Sequence, residues 1–203
     1  MEYLIALLSY FTQLIAIMNP FSAIPTFMSL TEGLDHRRRI AIVKKAYLAG
    51  LILVTVFTLV GRYILEAFNI SVASLRVGGG IILMTIALDM LGDDVRTKRM
   101  HPGDIAVVPI ATPLIIGPGT ITTILLLTSS STGVAEVALI LLAGVTACSA
   151  TFLILGLSDV LTRLLSMSTV RAIGRFMALI IAGVAVEMIV HGIHSYYIEL
   201  FKS

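Results

Sequence analysis

A chain of 203 residues that is 58% hydrophobic and only 13% charged lacks the polar surface a soluble domain needs. Its mean hydropathy is +1.02, and its apolar residues come in blocks of about twenty, the length that crosses a bilayer, so the chain reads as a polytopic membrane protein. The net charge of +2 carries little information, and the single cysteine, Cys148, excludes a disulfide framework or a Cys-x-x-Cys redox centre.

Cys148 lies in an apolar run and reads as a small packed residue. Tryptophan is absent, so aromatic anchoring falls to Tyr and Phe. The opening "MEYLIALLSY" has no basic n-region, which argues against a cleaved signal peptide.

Six hydrophobic segments follow in order. They run from Tyr3 to Leu30, Lys45 to Leu65, Ser71 to Leu91, Ile105 to Thr128, Val134 to Leu157 and Val170 to Val190. The first and fourth are interrupted by prolines and polar residues. The expected fold is an all-α bundle of six transmembrane helices with helices one and four discontinuous. Basic residues set the orientation. Arg37, Arg38, Arg39, Lys44, Lys45, Arg96, Lys98, Arg99, Arg163, Arg171 and Arg175 fall on one side, against Arg62, Arg76 and Lys202 on the other. That bias puts the odd-numbered loops in the cytoplasm and both termini outside, in the cell membrane.

The two interrupted segments resemble each other. "NPFSAIP" places Pro20 and Pro25 five apart; "TPLIIGP" places Pro113 and Pro118 five apart, at an offset of 93 residues. Asn19 and Thr112 precede the first proline of each pair. Ala49-Gly50 in "YLAGLILVTVF" aligns with Ala143-Gly144 in "LLAGVTACSAT", and Asp89-Met90 aligns with Glu187-Met188. Each match is weak, but the three keep the same order at nearly constant offset. Residues 1–91 then form one three-helix repeat and 105–203 a second, joined by the cytoplasmic loop 92–104. Three is odd, so the second copy enters the membrane inverted, as in many secondary transporters. A duplication kept for packing alone is the plainer alternative.

Proline has no N–H and clashes one turn back, freeing carbonyls near Ala16 and Phe21 in the first segment and near Pro109 and Leu114 in the fourth. Gly117 and Gly119 permit non-helical backbone. Such backbone is tolerated at membrane depth only where protein or a wet cavity surrounds it. A half-helix start offers N–H groups to a carboxylate, and a half-helix end offers carbonyls to an ammonium. Two facing breaks would therefore hold a small zwitterion, helped by Asn19, Ser22, Thr26, Thr112 and Thr120, with the glycines leaving room for only a small side group. The bland alternative is a pair of kinks that shape the bundle.

With "NPFSAIPTFMSLTEG", "RVGGGIILMTIALDML" and "IATPLIIGPGTITTIL" in view, the chain resembles the MarC family of six-span membrane proteins over essentially its whole length. The resemblance extends to that family's small neutral amino acid transporters. It implies transport of glycine, alanine or similar amino acids, coupled to an ion gradient carried by protons or sodium. The residues alone support only a small zwitterion or polar solute.

Asp89 and Glu187 are candidates for proton coupling, as intramembrane carboxylates are by default. Counted along the predicted spans, Asp89 falls near the cytoplasmic edge and Glu187 near the outer edge, where solvation is the alternative. Arg171 and Arg175 read as snorkelling residues, and Arg76 as another or as a partner for Glu66. His191 and His194 read as an interfacial pair, since a metal site needs more ligands. Gly78-Gly79-Gly80 lacks the Lys-Ser/Thr of a phosphate loop and reads as a packing surface, as do Gly174, Ala178 and Ala182.

No nucleophile–base pair or metal cluster is evident, so an enzyme is not expected, nor a cofactor, a metal or a nucleic-acid partner. An exporter of another small polar or amphiphilic solute and a non-transporting structural membrane protein are the competing readings.

Overall fold

The computed structural model describes residues 1–92 and 115–201, with side chains to residue 198. Among the described residues every regular element is a helix and there is no strand. Helix α1 runs Glu2–Met18 and α2 runs Pro20–Leu30, with Asn19 alone between them. Two local rules place that interruption. A residue before proline is pushed out of the right-handed helical region, and asparagine is one of the few residues that accept the left-handed one. Asn19 sits there, at φ 39° and ψ 70°. Pro20 then opens α2, where its missing N–H is not needed.

Pro25 behaves differently. It lies inside α2, and the helix continues through it to Leu30. The Phe21 carbonyl loses its helical donor, yet Ile24 and Phe27 are fully buried and their packing holds the turn. The expected break across Pro20 and Pro25 thus narrows to Asn19.

Helix α3 spans His36–Ala67 and is capped by Asp35, whose carboxylate accepts the Arg38 N–H at 3.2 Å. It begins well before Lys45, so its basic first turns are helical too. Its 32 residues reach about 48 Å at 1.5 Å each, past a hydrocarbon core of about 30 Å. Helix α4, Val72–Leu91, is capped by Ser71 on the Ser74 N–H at 3.0 Å. Helix α5, Pro118–Ser129, is the described part of the fourth segment. Thr112, Pro113 and the basic residues of the 92–104 loop lie outside the described residues.

Helix α6 spans Val134–Gly156, and a short α7, Ser158–Leu164, lies in what the sequence suggested was loop. Helix α8, Met167–Phe201, runs eleven residues past the expected Val190. Among the described residues, five stretches are long and apolar enough to cross a membrane: α1 with α2, α3, α4, α6 and α8; α5 is a shorter apolar helix. The chain is an all-helical polytopic membrane protein with five to six candidate apolar helices.

Glycines set the closest helix contacts. Helices α4 and α8 run antiparallel, with Gly79 against Met188, Gly80 against Ala185 and Ile189, and Gly192 against Val77. A Cβ on Gly80 would lie 2.7 Å from the Ala185 carbonyl oxygen, a backbone atom that cannot swing away. Helices α3 and α6 cross with a reciprocal pattern. A Cβ on Gly50 would meet Cys148 Sγ at 3.2 Å, and one on Gly144 would meet Val54 Cγ1 at 2.7 Å.

The apolar core has two parts. Leu14, Met18, Ile24 and Phe27 pack with Val54, Ile116, Cys148 and Phe152; Ile17 packs instead with Leu83, Ala87, Ile181 and Ala185. Neighbours Ile17 and Met18 therefore face different clusters, and the interruption at Asn19 falls at their joint.

Candidate functional site

Asn19 is 3% exposed. Its Oδ1 accepts the Ser22 N–H at 3.4 Å and so caps α2. Its amide nitrogen faces Met90 Sδ at 3.9 Å, a weak acceptor for a buried donor. Pro20 removes the donor that would have reached the Ala16 carbonyl, and Phe21, in the first turn of α2, has no intrahelical acceptor for its N–H. A thioether also sits on the other side of the break, where Met18 Sδ accepts the Thr151 hydroxyl at 3.7 Å.

The start of α5 is built differently from the turn at Asn19. Gly117 is extended, at φ −86° and ψ −173°, and no side chain caps α5. Ile121 N–H returns to the Gly117 carbonyl at 3.1 Å, and the buried Thr120 hydroxyl donates to the Ile115 carbonyl at 3.1 Å. The N–H groups of Gly119 and Thr120 belong to a first helical turn and have no intrahelical acceptor. Pro118 opens the helix and is exposed.

The end of α1 and the start of α5 touch. A Cβ on Gly119 would lie 3.6 Å from Ile17 Cγ2, but also 2.6 Å from Leu83 Cδ2 and 3.2 Å from Ile86 Cδ1. This corrects the expectation that Gly119 leaves room for a ligand: the protein's own side chains fill that place. Ser22, Pro25 and Thr26 are half-buried on α2, and Gly174 of α8 packs against Ser22. The hydroxyls of Ser22 and Thr26 make no side-chain hydrogen bond among the described residues.

The paired carboxylates differ in setting. Asp89 is half-buried near the end of α4 and is engaged by another group. Glu187 is exposed, and its Oε1 lies 2.9 Å from His191 Nε2. It sits level with Gly80, in the middle of α4. The expected His191–His194 pair is thus a Glu187–His191 pair. Glu66 bonds Arg62 at 3.0 Å, and the suggested Arg76 partnership does not form. Gly79 and Gly80 are packing residues as expected, whereas Gly78 faces open space.

Two polar ties were invisible in the sequence. Arg39 Nη1 donates to Asp159 Oδ1 at 2.6 Å and Arg39 Nε donates to the Thr31 carbonyl at 3.2 Å. His36 Nδ1 lies 3.3 Å from Asp159 Oδ2. This cluster clamps the α2–α3 turn to α7. At the far end of α6, the Tyr10 hydroxyl donates to Glu136 Oε1 at 2.6 Å, tying α1 to α6. Arg39–Asp159, His36–Asp159 and Tyr10–Glu136 each join residues more than a hundred positions apart, which no local pattern announces. Among the described residues, no three His, Cys, Asp or Glu side chains gather to hold a metal.

A helical bundle of this composition, with a buried polar break between its core clusters, is a multi-pass integral membrane protein. The family described as MarC family integral membrane protein matches residues 4–197, and the chain belongs to it. It is 34% identical over 192 residues to the UPF0056 membrane protein MJ1677 of Methanocaldococcus jannaschii, covering 90% of this chain and 93% of that one. It is 33% identical over 193 residues to the UPF0056 membrane protein YvbG of Bacillus subtilis, covering 90% and 92%. It is 33% identical over 186 residues to the UPF0056 inner membrane protein YhgN of Escherichia coli, covering 89% and 92%. No solved structure matches the chain.

Proposed function

We propose that the protein is a secondary transporter of small neutral amino acids, such as glycine and alanine, that binds the zwitterion between the interruptions at Asn19 and Gly117. The observation that carries this reading is the buried Asn19 amide. It rests on a thioether at 3.9 Å, beside helix starts that offer unpaired N–H groups. A carboxylate is a far better acceptor than sulfur and would draw on Asn19 Nδ2 and the N–H groups of Phe21, Gly119 and Thr120. Carbonyls at the end of α1, with Ala16 deprived of its donor by Pro20, would receive the ammonium. Ser22 and Thr26, with spare hydroxyls on α2, complete the proposed lining, to which the sequence motif adds Thr112 and Pro113, outside the described residues.

The architecture that serves this function is a 3+3 inverted repeat with the first and fourth spans discontinuous. The reciprocal α3–α6 contact supports it. Cys148 follows Gly144 by four residues, and Val54 follows Gly50 by four, so matched glycines make matched contacts. Transport draws on a proton or sodium gradient across the cell membrane, with both termini outside.

Uptake of labelled glycine and alanine into proteoliposomes tests this directly. Saturable uptake that small neutral amino acids inhibit and large or charged ones do not is expected. Absence of both net uptake and counterflow for glycine, alanine and serine would overturn the reading.

A further inference from the structure

Thr151 of α6 is a fully buried polar residue outside the lining of Asn19, Ser22 and Thr26. A threonine inside a helix ordinarily directs its hydroxyl to the carbonyl one turn back. The buried Thr58, Thr123 and Thr128 do this at 2.6, 2.9 and 2.9 Å. Thr151 does not. Among the described residues its hydroxyl donates to Met18 Sδ alone, 3.7 Å away on α1. It gives up an oxygen acceptor on its own helix for a thioether, a weak acceptor.

That choice aims the hydroxyl at the end of α1. Met18 is the last residue of α1 and supplies both the sulfur and a backbone carbonyl, so the hydroxyl stands close to the helix end. Two carbonyls there lack their helical donors. Pro20 has no N–H to give Ala16, and the Ser22 N–H goes to Asn19 Oδ1 at 3.4 Å rather than to Met18. Ala16 and Met18 are both buried, and buried carbonyls are ordinarily paired. A similar arrangement stands across the turn, where the buried Asn19 amide faces Met90 Sδ at 3.9 Å. Each of the two polar side chains is held by a flexible methionine, which can withdraw when a better partner arrives.

We propose that Thr151 is a binding residue of this site, and that its hydroxyl joins the Ala16 and Met18 carbonyls as the third acceptor for the ammonium group of the amino acid. A primary ammonium carries three N–H donors. Two carbonyls and a hydroxyl match that number, and an N-alkylated solute leaves one or more of them unpaired. Thr151 therefore sets a preference for an unsubstituted amino group. It has this role only if the protein carries amino acids, and what it adds is recognition of their ammonium end.

Glycine uptake by the full chain in proteoliposomes is the test. Thr151→Val keeps the shape and deletes the hydroxyl. Its melting temperature in detergent should stay close to that of wild type, since only a thioether contact is lost. Its KM for glycine should rise about tenfold with kcat little changed, as expected for a lost hydrogen bond to a charged group. The factor by which glycine outcompetes N-methylglycine should shrink about threefold, because the acceptor for the third N–H is gone. Thr151→Ser should restore both. Met18→Leu keeps the bulk and deletes the competing sulfur, so it should lower the KM. A Thr151→Val protein that does not fold, one with the wild-type KM, or one whose preference over N-methylglycine is undiminished would each overturn the assignment. So would a Met18→Leu protein impaired as badly as Thr151→Val. Wild type that takes up no glycine, alanine or serine would instead sink the transport reading itself, and this role with it.

Discussion

The turn at Asn19 and the start of α5 at Gly117 lie in matching Pro-x4-Pro motifs of the sequence and differ in construction. At Asn19 a side chain does the work: a left-handed residue ends α1, its carbonyl oxygen caps α2, and its amide faces into the bundle. At Gly117 the backbone does it: an extended glycine opens α5 with no side-chain cap, and the Thr120 hydroxyl ties down the carbonyl behind it. One offers a specific hydrogen-bonding group, the other bare N–H groups. Sequence similarity between two halves of a chain therefore need not mean identical chemistry at matched positions.

Five substitutions probe that contrast. Asn19→Ala should reduce glycine uptake more than tenfold and lower stability by about 2 kcal/mol, since it removes a cap and strains a left-handed position. Asn19→Gly keeps the backbone easy and deletes only the amide. Normal uptake by the glycine variant would show that the amide does not bind substrate. Gly119→Leu should destabilise by about 3 kcal/mol in detergent melts, because its Cβ would lie 2.6 Å from Leu83 Cδ2. An unchanged melting temperature would mean that Leu83 and Ile86 can move aside.

Thr120→Val should cost about 1 kcal/mol by orphaning the buried Ile115 carbonyl. A larger loss of uptake than of stability would assign the hydroxyl a role toward substrate as well. Ser22→Ala should change stability by less than about 0.5 kcal/mol, since Asn19 caps the Ser22 backbone rather than its hydroxyl. A tenfold rise in KM for glycine in that variant would place the hydroxyl on the ligand.

The Arg39–Asp159 clamp marks where sequence reasoning stopped. Arg39 sits in "HRRR", which reads as an orientation signal, and nothing there separates it from Arg37 or Arg38. Only Arg39 turns inward to Asp159, with its side chain 18% exposed, while Arg38 stays on the surface beside Asp35. Pro25 is the converse case. Its chemistry predicts a broken helix, and the burial of Ile24 and Phe27 overrides it. The end of the last helix was judged from the apolar run, while α8 continues through "HGIHSYYIELF".

By itself the sequence determined the membrane class, the all-helical make-up, the paired motifs and a break next to Pro20. These follow from local physics: twenty apolar residues to cross a bilayer, a residue before proline barred from the helix, and an asparagine able to turn left-handed. Only the tertiary structure decided that Ile17 meets Gly119, that Met90 stands before the Asn19 amide, that Arg39 finds Asp159, and that Glu187 faces outward. Those outcomes depend on which helix faces meet and at what height. Helix faces are chosen by the packing of the whole bundle, through glycine contacts that carry no meaning until both surfaces are in place.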